Sequence, residues 1–504
     1  IPTCRQQRTL TMSERPIHFH FRGEIRQLDG VAPTRTVLQY LREDAHACGS
    51  KEGCAEGDCG ACTVVLGERV EGQLRLRAVN ACIQFVPSLD GKALFTVEDL
   101  DSLGGLGLTG LLHPVQQALV DRHASQCGFC TPGFAMSLFA LYENHVECPS
   151  RSVICDSLSG NLCRCTGYRP IIDAVPLTYA QPRVSVDRDT VLAALDEMAA
   201  LPALEYVGAG RRFSAPRSLS DLAAARLAAP DARLLAGCTD VGLWVTKQLK
   251  DPGDLIYLGA VEELKVIRAD ATGLFIGAGA SLTDAFEALT AFEPAWTELA
   301  RRFASLPVRN AGTLGGNVAN GSPIGDSMPG LIAMGAEILL QRGERQRRLP
   351  LEDFYLAYQK TALEAGEFVL GLHIPPLPAD RHFRTWKVSK REDQDISAVC
   401  GAFALDIQDG HIQGARIAFG GMAATPLRAR ATEAFLLTRP WSEATVSAAA
   451  EVLAREYTPL SDMRASSAYR SRVAAGLLHR LWLESPESGD GTVPVRLADL
   501  EDTL

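Results

Sequence analysis

The chain has 504 residues, 46% of them hydrophobic and 22% charged, with a net charge of −10. That composition suits several ordinary buried cores, roughly three domains at ~150 residues each. The acidic balance argues against nucleic acid as the main partner, because phosphate binding needs a basic surface. No run of 18 apolar residues occurs, so neither a membrane span nor a membrane partner is expected, and the location is expected to be cytoplasmic.

Residues 1–11 are polar and lack the apolar centre of a signal peptide, and Met12 reads as the natural start. Eleven of the 14 cysteines lie between Cys48 and Cys165. In a long chain without a visible signal, such clustering points to metal binding before disulfides.

Alternation over residues 17–28, around Arg22-Gly23-Glu24, predicts a hairpin, and Val37, Leu38 and Leu41 follow at helical spacing. Cys54, Cys59 and Cys62 form a C-x4-C-x2-C loop, and Cys82 comes after nineteen further residues. This is the plant-type [2Fe–2S] spacing. Three thiolates come from one tight loop, and Gly53, Gly57 and Gly60 let its amides turn toward the sulfides. A structural zinc site would also accept four cysteines. Residues 62–66 and 74–79 read as further strands, so one helix on a small mixed sheet is expected, a ferredoxin-like module of the β-grasp kind.

After about residue 98 the pattern turns helical. Gly105-Leu-Gly-Leu-Thr-Gly110 satisfies G-x-G-x-x-G, but no buried strand precedes it and His113-Pro114 follows too soon, so it reads as a connector and not as a dinucleotide site. Thr131-Pro132 suggests an N-cap with proline at the first helical position, ahead of Phe134, Leu138 and Leu141. Cys127 and Cys130 form a C-x2-C pair, Cys163 and Cys165 a C-x-C pair, and each pair could ligate one iron; zinc remains open on pattern alone. Residues 176–205 read as a linker with a surface helix.

From about residue 206, strands and helices alternate with glycine-rich turns, and from about His382 to the end the chain runs from strand patterns into Ala-rich helices. Two stretches stand out, residues 235–242 and 310–326. Consecutive amides in such loops can cradle a pyrophosphate, and such loops can equally be simple tight turns.

Gln126-Cys-Gly-Phe-Cys-Thr-Pro-Gly133 and Asn161-Leu-Cys-Arg-Cys-Thr-Gly-Tyr-Arg-Pro170 resemble the helical [2Fe–2S] domain of molybdenum hydroxylases. With the first loop they are similar to the xanthine dehydrogenase and aldehyde oxidase family, over about residues 17–490. The resemblance implies a multidomain α+β chain: a ferredoxin-like domain at 16–98, an all-helical [2Fe–2S] domain at 99–178, a linker at 179–205, an α/β FAD-binding domain at 206–380 and an α+β flavoprotein domain at 381–490. It implies two [2Fe–2S] clusters, one on Cys54, Cys59, Cys62 and Cys82 and one on Cys127, Cys130, Cys163 and Cys165, with Gln126 reaching a pterin. It implies FAD on Leu235, Ala236, Gly237, Cys238, Thr239 and Asp240, with Phe303 on the ring and Thr313, Gly316, Asn317, Asp326, Leu370 and Lys387 as further contacts. Cys238 stands where relatives often carry Asn. Cys48, Cys148 and Cys155 fall outside the ligand pattern, and Cys400 has no assigned role.

No stretch after Asp326 reads as a molybdopterin domain with its glutamate base. The order resembles the small subunit of bacterial xanthine dehydrogenases. That implies a large molybdopterin subunit as partner, two copies of each chain, purine oxidation there, and NAD as acceptor here. Residues 387–396, dense in charge with Lys390, Arg391, Glu392, Asp393 and Asp395, resemble the family loop beside the flavin. A related aldehyde or N-heterocycle hydroxylase and a zinc-stabilised interaction module are the alternatives.

Overall fold

The computed structural model describes residues 14–103, 112–378, 381–392 and 394–485. Met12, the Gly105–Gly110 stretch and Asp393 lie outside them. Arg22 and Gly23 take left-handed φ angles of 54° and 78°, the turn that matches the twist of two paired strands. It closes the expected hairpin of Ile17–Phe21 with Glu24–Leu28. Ile17–Phe21 pairs in parallel with Ala93–Phe95, which in turn pairs with Thr63–Val70 and so joins Gln73–Asn80 to the sheet. Thr36 caps the one helix through a reciprocal box with Gln39.

Inside its exposed edge strand Glu24–Leu28, this sheet is buried on both faces. Val65, Leu74, Leu76, Ala78 and Phe95 pack under the helical segment. Phe19, Val64, Leu66 and Leu94 on the other face share a core with Leu204, Tyr206, Phe213, Leu235 and Tyr257 of the flavin segment. The ferredoxin-like unit is thus wedged between the other two by continuous apolar packing, which holds the intervening loops rigidly.

The helical segment holds Pro114–Asp121, Thr131–Asn144, Arg151–Leu158 and Arg169–Tyr179. Its second helix differs from expectation at the start: Cys130 is the N-cap and Thr131 is already helical. Pro132 is tolerated one position further in because the first-turn amides have no intrahelical acceptor anyway. The stretch read as linker carries the helix Arg188–Ala199, which buries Val191, Leu195 and Met198. Arg188 fastens it by donating to the carbonyls of Leu74 and Glu143, at 2.8 Å each.

Two larger sheets build the flavin segment, beside a two-stranded pair of 355–357 with 360–361. The first runs in the order 204–208, 211–215, 255–257, 233–235 and contains the parallel pairs of an α/β unit. The second, 267–270, 273–277, 368–374, 337–342, 345–350, is antiparallel throughout. The last segment is an antiparallel sheet of 381–388, 399–408, 411–420 and 427–428 with three helices, the longest Ser467–Leu483. Cys400, Ala402, Ala404 and Ala418 from this sheet join the core of the second flavin sheet. Among the described residues no helix is long and apolar enough to cross a membrane.

Candidate iron–sulfur and flavin centres

The first cysteine loop curls around one sulfur. The amides of Glu56, Asp58 and Cys59 donate to Cys54 Sγ at 3.4, 3.4 and 3.3 Å. Cys82 arrives from the turn after the strand Gln73–Asn80, and its thiol touches those of Cys54 and Cys62, while Cys54 also touches Cys59. The contact with Cys54 pushes Cys59 and Cys82 up and holds Cys54 itself low, while the contact with Cys82 holds Cys62 low. Thiols crowded in this way suit cations that would ionise all four. Asn80, 1% exposed, lies against the Cys62 thiol with both amide atoms otherwise unpaired, a donor poised for an inorganic sulfide. The residues therefore fit a [2Fe–2S] group.

In the second set the sulfurs pair across the two motifs. Cys127 Sγ lies 3.6 Å from Cys165 Sγ, and Cys130 touches Cys163. The sequence reading joins Cys127 with Cys130 and Cys163 with Cys165 instead. The fold prefers the crossed arrangement because Cys130 caps the helix Thr131–Asn144 and faces the returning 161–166 turn. Burial pushes the Cys130 thiol up to about 12. Burial also acts on Cys163, but the Thr166 hydroxyl, 3.2 Å away, and backbone amides hold it below its ordinary value. Two sulfur pairs match two irons, and among the described residues no three metal-binding side chains converge on one ion position. Gln126 donates to the Cys165 carbonyl at 3.1 Å, at the exposed rim beside Cys127 and Cys165. Cys48, Cys148 and Cys155 are exposed.

The two sets meet through backbone. The Leu162 amide, one residue before Cys163, donates to the Cys59 carbonyl at 3.0 Å. Asn161, 3% exposed, donates to Gly60 O and Thr63 Oγ1 at 3.2 Å each and accepts from Ser137 Oγ at 2.6 Å. Gly60 has φ +69°, and a Cβ there would sit 2.1 Å from Gly160 O. Only glycine allows this approach.

The flavin loops meet the same way. A Cβ on Gly237 would lie 1.8 Å from Ala311 O, so loops 235–240 and 311–317 touch backbone to backbone. Gly316, Thr313 and Ala236 line one concavity. Thr313 Oγ1 accepts from the Gly316 amide at 3.0 Å and starts the helix Leu314–Asn320, while Ser327 Oγ donates to Asn317 at 2.5 Å. Cys238 takes φ +62°, a conformation that favours Gly or Asn, and its thiol is buried. Burial pushes that thiol up to about 11. Burial likewise raises Asp240 above the usual carboxylate range, and the Leu370 carbonyl accepts from Ala278 N at 3.0 Å. Thr239 borders the same junction against Gly312. Close backbone approach, with no room for a Cβ on Gly316 beside Thr313 Oγ1 at 2.9 Å, fits a loop that presents bare amides to a pyrophosphate-bearing cofactor.

Beyond the loops, Lys387 Nζ pairs with Asp326 at 2.9 Å, both nearly fully buried. Phe303 lies 4.7 Å from Phe286 and is 6% exposed. Several residues of this centre were not singled out in the sequence. Ser397 donates to Asp326 at 2.5 Å, Cys400 donates to its carbonyl at 3.5 Å, and Gln84 donates to Gly237 O at 2.9 Å. Arg302 binds the Lys387 carbonyl and Ser389 Oγ and so tethers the charged loop to the helix Thr297–Arg302, which Phe303 follows. Only Arg302, adjacent to Phe303, had a signal in its position.

Comparison with known proteins follows the same order along the chain. Residues 19–86 match a 2Fe-2S iron-sulfur cluster binding domain and 96–176 a [2Fe-2S] binding domain. Residues 209–377 match the FAD binding domain in molybdopterin dehydrogenase, and 384–485 the CO dehydrogenase flavoprotein C-terminal domain. The chain belongs to the molybdenum hydroxylase family. Within that family it is 34% identical to the xanthine dehydrogenase of Drosophila subobscura over 90% of this chain and 38% of that protein. It is 31% identical to xanthine dehydrogenase 1 of Arabidopsis thaliana, over 84% of this chain and 36% of the relative. The chain thus spans well under half the length of these curated relatives. Among solved structures, the carbon monoxide dehydrogenase of Hydrogenophaga pseudoflava is 29% identical, with a TM-score of 0.51 over 53% of this chain and 94% of that one. Quinoline 2-oxidoreductase from Pseudomonas putida 86 is also 29% identical, with a TM-score of 0.50 over 55% and 96%. The chain accordingly carries two [2Fe–2S] domains and an FAD-binding domain of an oxidoreductase.

Proposed function

We propose that this chain relays electrons from a molybdopterin-bearing partner chain to NAD during oxidation of a purine such as xanthine or hypoxanthine. Cys127, Cys130, Cys163 and Cys165 hold the cluster nearest the partner, and Cys54, Cys59, Cys62 and Cys82 hold the next. The glycine loops, with Phe303, Asp326, Leu370 and Lys387, hold FAD. The clusters supply one-electron carriers, and the flavin exchanges one-electron for two-electron steps. The observation that carries the order is the backbone itself. Leu162 N–H binds the Cys59 carbonyl at 3.0 Å, and Gln84, two residues past Cys82, donates to the Gly237 carbonyl at 2.9 Å. The second cysteine set thus adjoins the first, and the first adjoins the flavin loops.

Gln126 stands at the rim where Cys127 and Cys165 are exposed, the face we assign to the pterin side and the partner. The expected assembly is two copies of each chain. The similarity to quinoline 2-oxidoreductase favours an N-heterocycle hydroxylase as the second reading, decided by the partner's pocket. Turnover of the purified complex tests both. Xanthine with NAD as acceptor should reduce NAD, and quinoline should not. Rapid oxidation of quinoline or an aldehyde with no response to xanthine overturns the purine assignment, and turnover with oxygen but not NAD overturns the acceptor. Arg391→Ala should alter the kinetics with NAD, as the loop bearing Arg391 follows directly on Lys387.

A further inference from the structure

The turn that presents Phe303 is built in an unfavourable conformation. Ala304, directly after it, has φ +48°. Residues with a Cβ rarely adopt this left-handed region, because Cβ crowds the following carbonyl. Something outside the turn must hold it.

Arg309 does so. Its side chain is 6% exposed. One guanidinium nitrogen donates to both carbonyls of the turn, Phe303 O at 3.0 Å and Ala304 O at 3.1 Å. The other donates to both oxygens of Asp156, at 2.6 Å each. Asp156 belongs to the helix Arg151–Leu158 of the helical iron–sulfur segment, not to the flavin segment. Around this pair the two segments are in close contact. The Leu306 amide approaches Ser159 Oγ at 3.4 Å, and a Cβ on Gly160 would meet Pro307 at 2.6 Å. The same strand of chain, Asn161-Leu162-Cys163, leads on to the cysteines. The planar, five-donor guanidinium can satisfy a carboxylate and two carbonyls at once, which a lysine cannot do in the same geometry.

We propose that Asp156 and Arg309 are positioning residues for the flavin: the helical iron–sulfur segment, through this ion pair, sets the Phe303–Ala304 turn and with it the ring of Phe303. This rests on the reading that Phe303 contacts FAD. Docking of the helical segment then becomes a condition for a well-formed flavin site. Neither residue touches the cofactor in this scheme; Arg309 acts through two backbone carbonyls.

The test uses the full-length chain in its complex, with FAD and iron content, the FAD dissociation constant and the visible circular dichroism of the bound flavin as readouts. Arg309→Met should weaken FAD binding about ten-fold, the scale of one hydrogen bond to a charged group at about 1.4 kcal/mol per decade. It should change the flavin dichroism while retaining both cluster EPR signals. Asp156→Asn, which preserves shape and removes the charge, should shift the same readouts in the same direction by less. Adding Ala304→Gly to Arg309→Met should recover much of the loss, because glycine holds the left-handed turn without help. Unchanged affinity and dichroism in both single variants, with iron retained, overturn the proposal, as does a double variant no better than Arg309→Met alone. Phe303→Leu separates the two readings. If it leaves the flavin untouched, the Phe303 assignment is wrong; if it perturbs the flavin while Arg309→Met does not, the positioning role alone is wrong.

Discussion

Removing the Lys387 ammonium while keeping its hydrocarbon length, as Lys387→Met does, isolates one charge in the flavin segment. Asp326 would remain in a site where its side chain is 7% exposed, left with neutral partners, Ser397 Oγ at 2.5 Å and the Cys400 thiol. Breaking a buried pair at one end typically costs about 3–5 kcal/mol, because the surviving charge stays desolvated. Replacing both ends removes that charge, so Asp326→Asn with Lys387→Met should recover all but about 1–2 kcal/mol. The Asp326→Asn single variant strands the buried Lys387 ammonium in turn, so the double-mutant cycle predicts a coupling of at least about 2–3 kcal/mol, far outside the additivity expected of independent sites. Because Asp326 and Ser397 lie in different segments, the loss should fall on the calorimetric transition that unites the second flavin sheet with the last sheet. At roughly 2–4 °C per kcal/mol that transition should drop by about 6–20 °C in the single variant. Calorimetry of the four proteins, with and without added FAD, measures the cycle. A single variant within about 0.5 kcal/mol of the parent, or strict additivity, would refute the argument that this pair is held out of water.

Cys59→Ser and Cys163→Ser should each abolish one cluster EPR signal, leave the other, and lower iron from about four to about two per chain; stoichiometric zinc without iron would contradict both assignments. Gly60→Ala should cost about 3 kcal/mol or more. It combines a left-handed penalty with the loss of buried hydrogen bonds at Asn161, and its effect should appear as slower equilibration between the two EPR signals after partial reduction. His113 is fully buried, and burial holds it down to about 4 against an ordinary value of 6.5. Its folded pKa lies below the unfolded one, so its contribution is complete above pH 6.5 and shrinks as the pH falls toward 4, with about 2 kcal/mol lost by pH 5. His113→Asn, which can still cap the helix, should flatten the fall in melting temperature between pH 7 and pH 5; an equal fall in both proteins would place the acid sensitivity elsewhere.

Local rules were enough for much of this protein. The Cys54–Cys62 loop is recognisable because ligand spacing and glycine content are properties of a short contiguous segment. The hairpin at Arg22-Gly23 and the helix run of Phe134, Leu138 and Leu141 are legible for the same reason, since turn chemistry and side-chain period act over a few residues. The order of the domains followed from motifs that are each local. What lay beyond sequence reading involves partners more than a hundred residues apart, or pairings among equivalent groups. Nothing in the C-x2-C and C-x-C spacings states that Cys127 meets Cys165; the angle between a helix start and a returning turn decides it. Ser397 is an ordinary serine until the last sheet docks and brings its hydroxyl to Asp326. Gly60 reads as a loop glycine, and only the arrival of Gly160 makes its missing Cβ necessary. Backbone conformation and metal-ligand spacing are encoded next to each other in the chain. The buried hydrogen bonds and ion pairs that join the segments exist only after apolar burial has brought distant strands and helices to a common core.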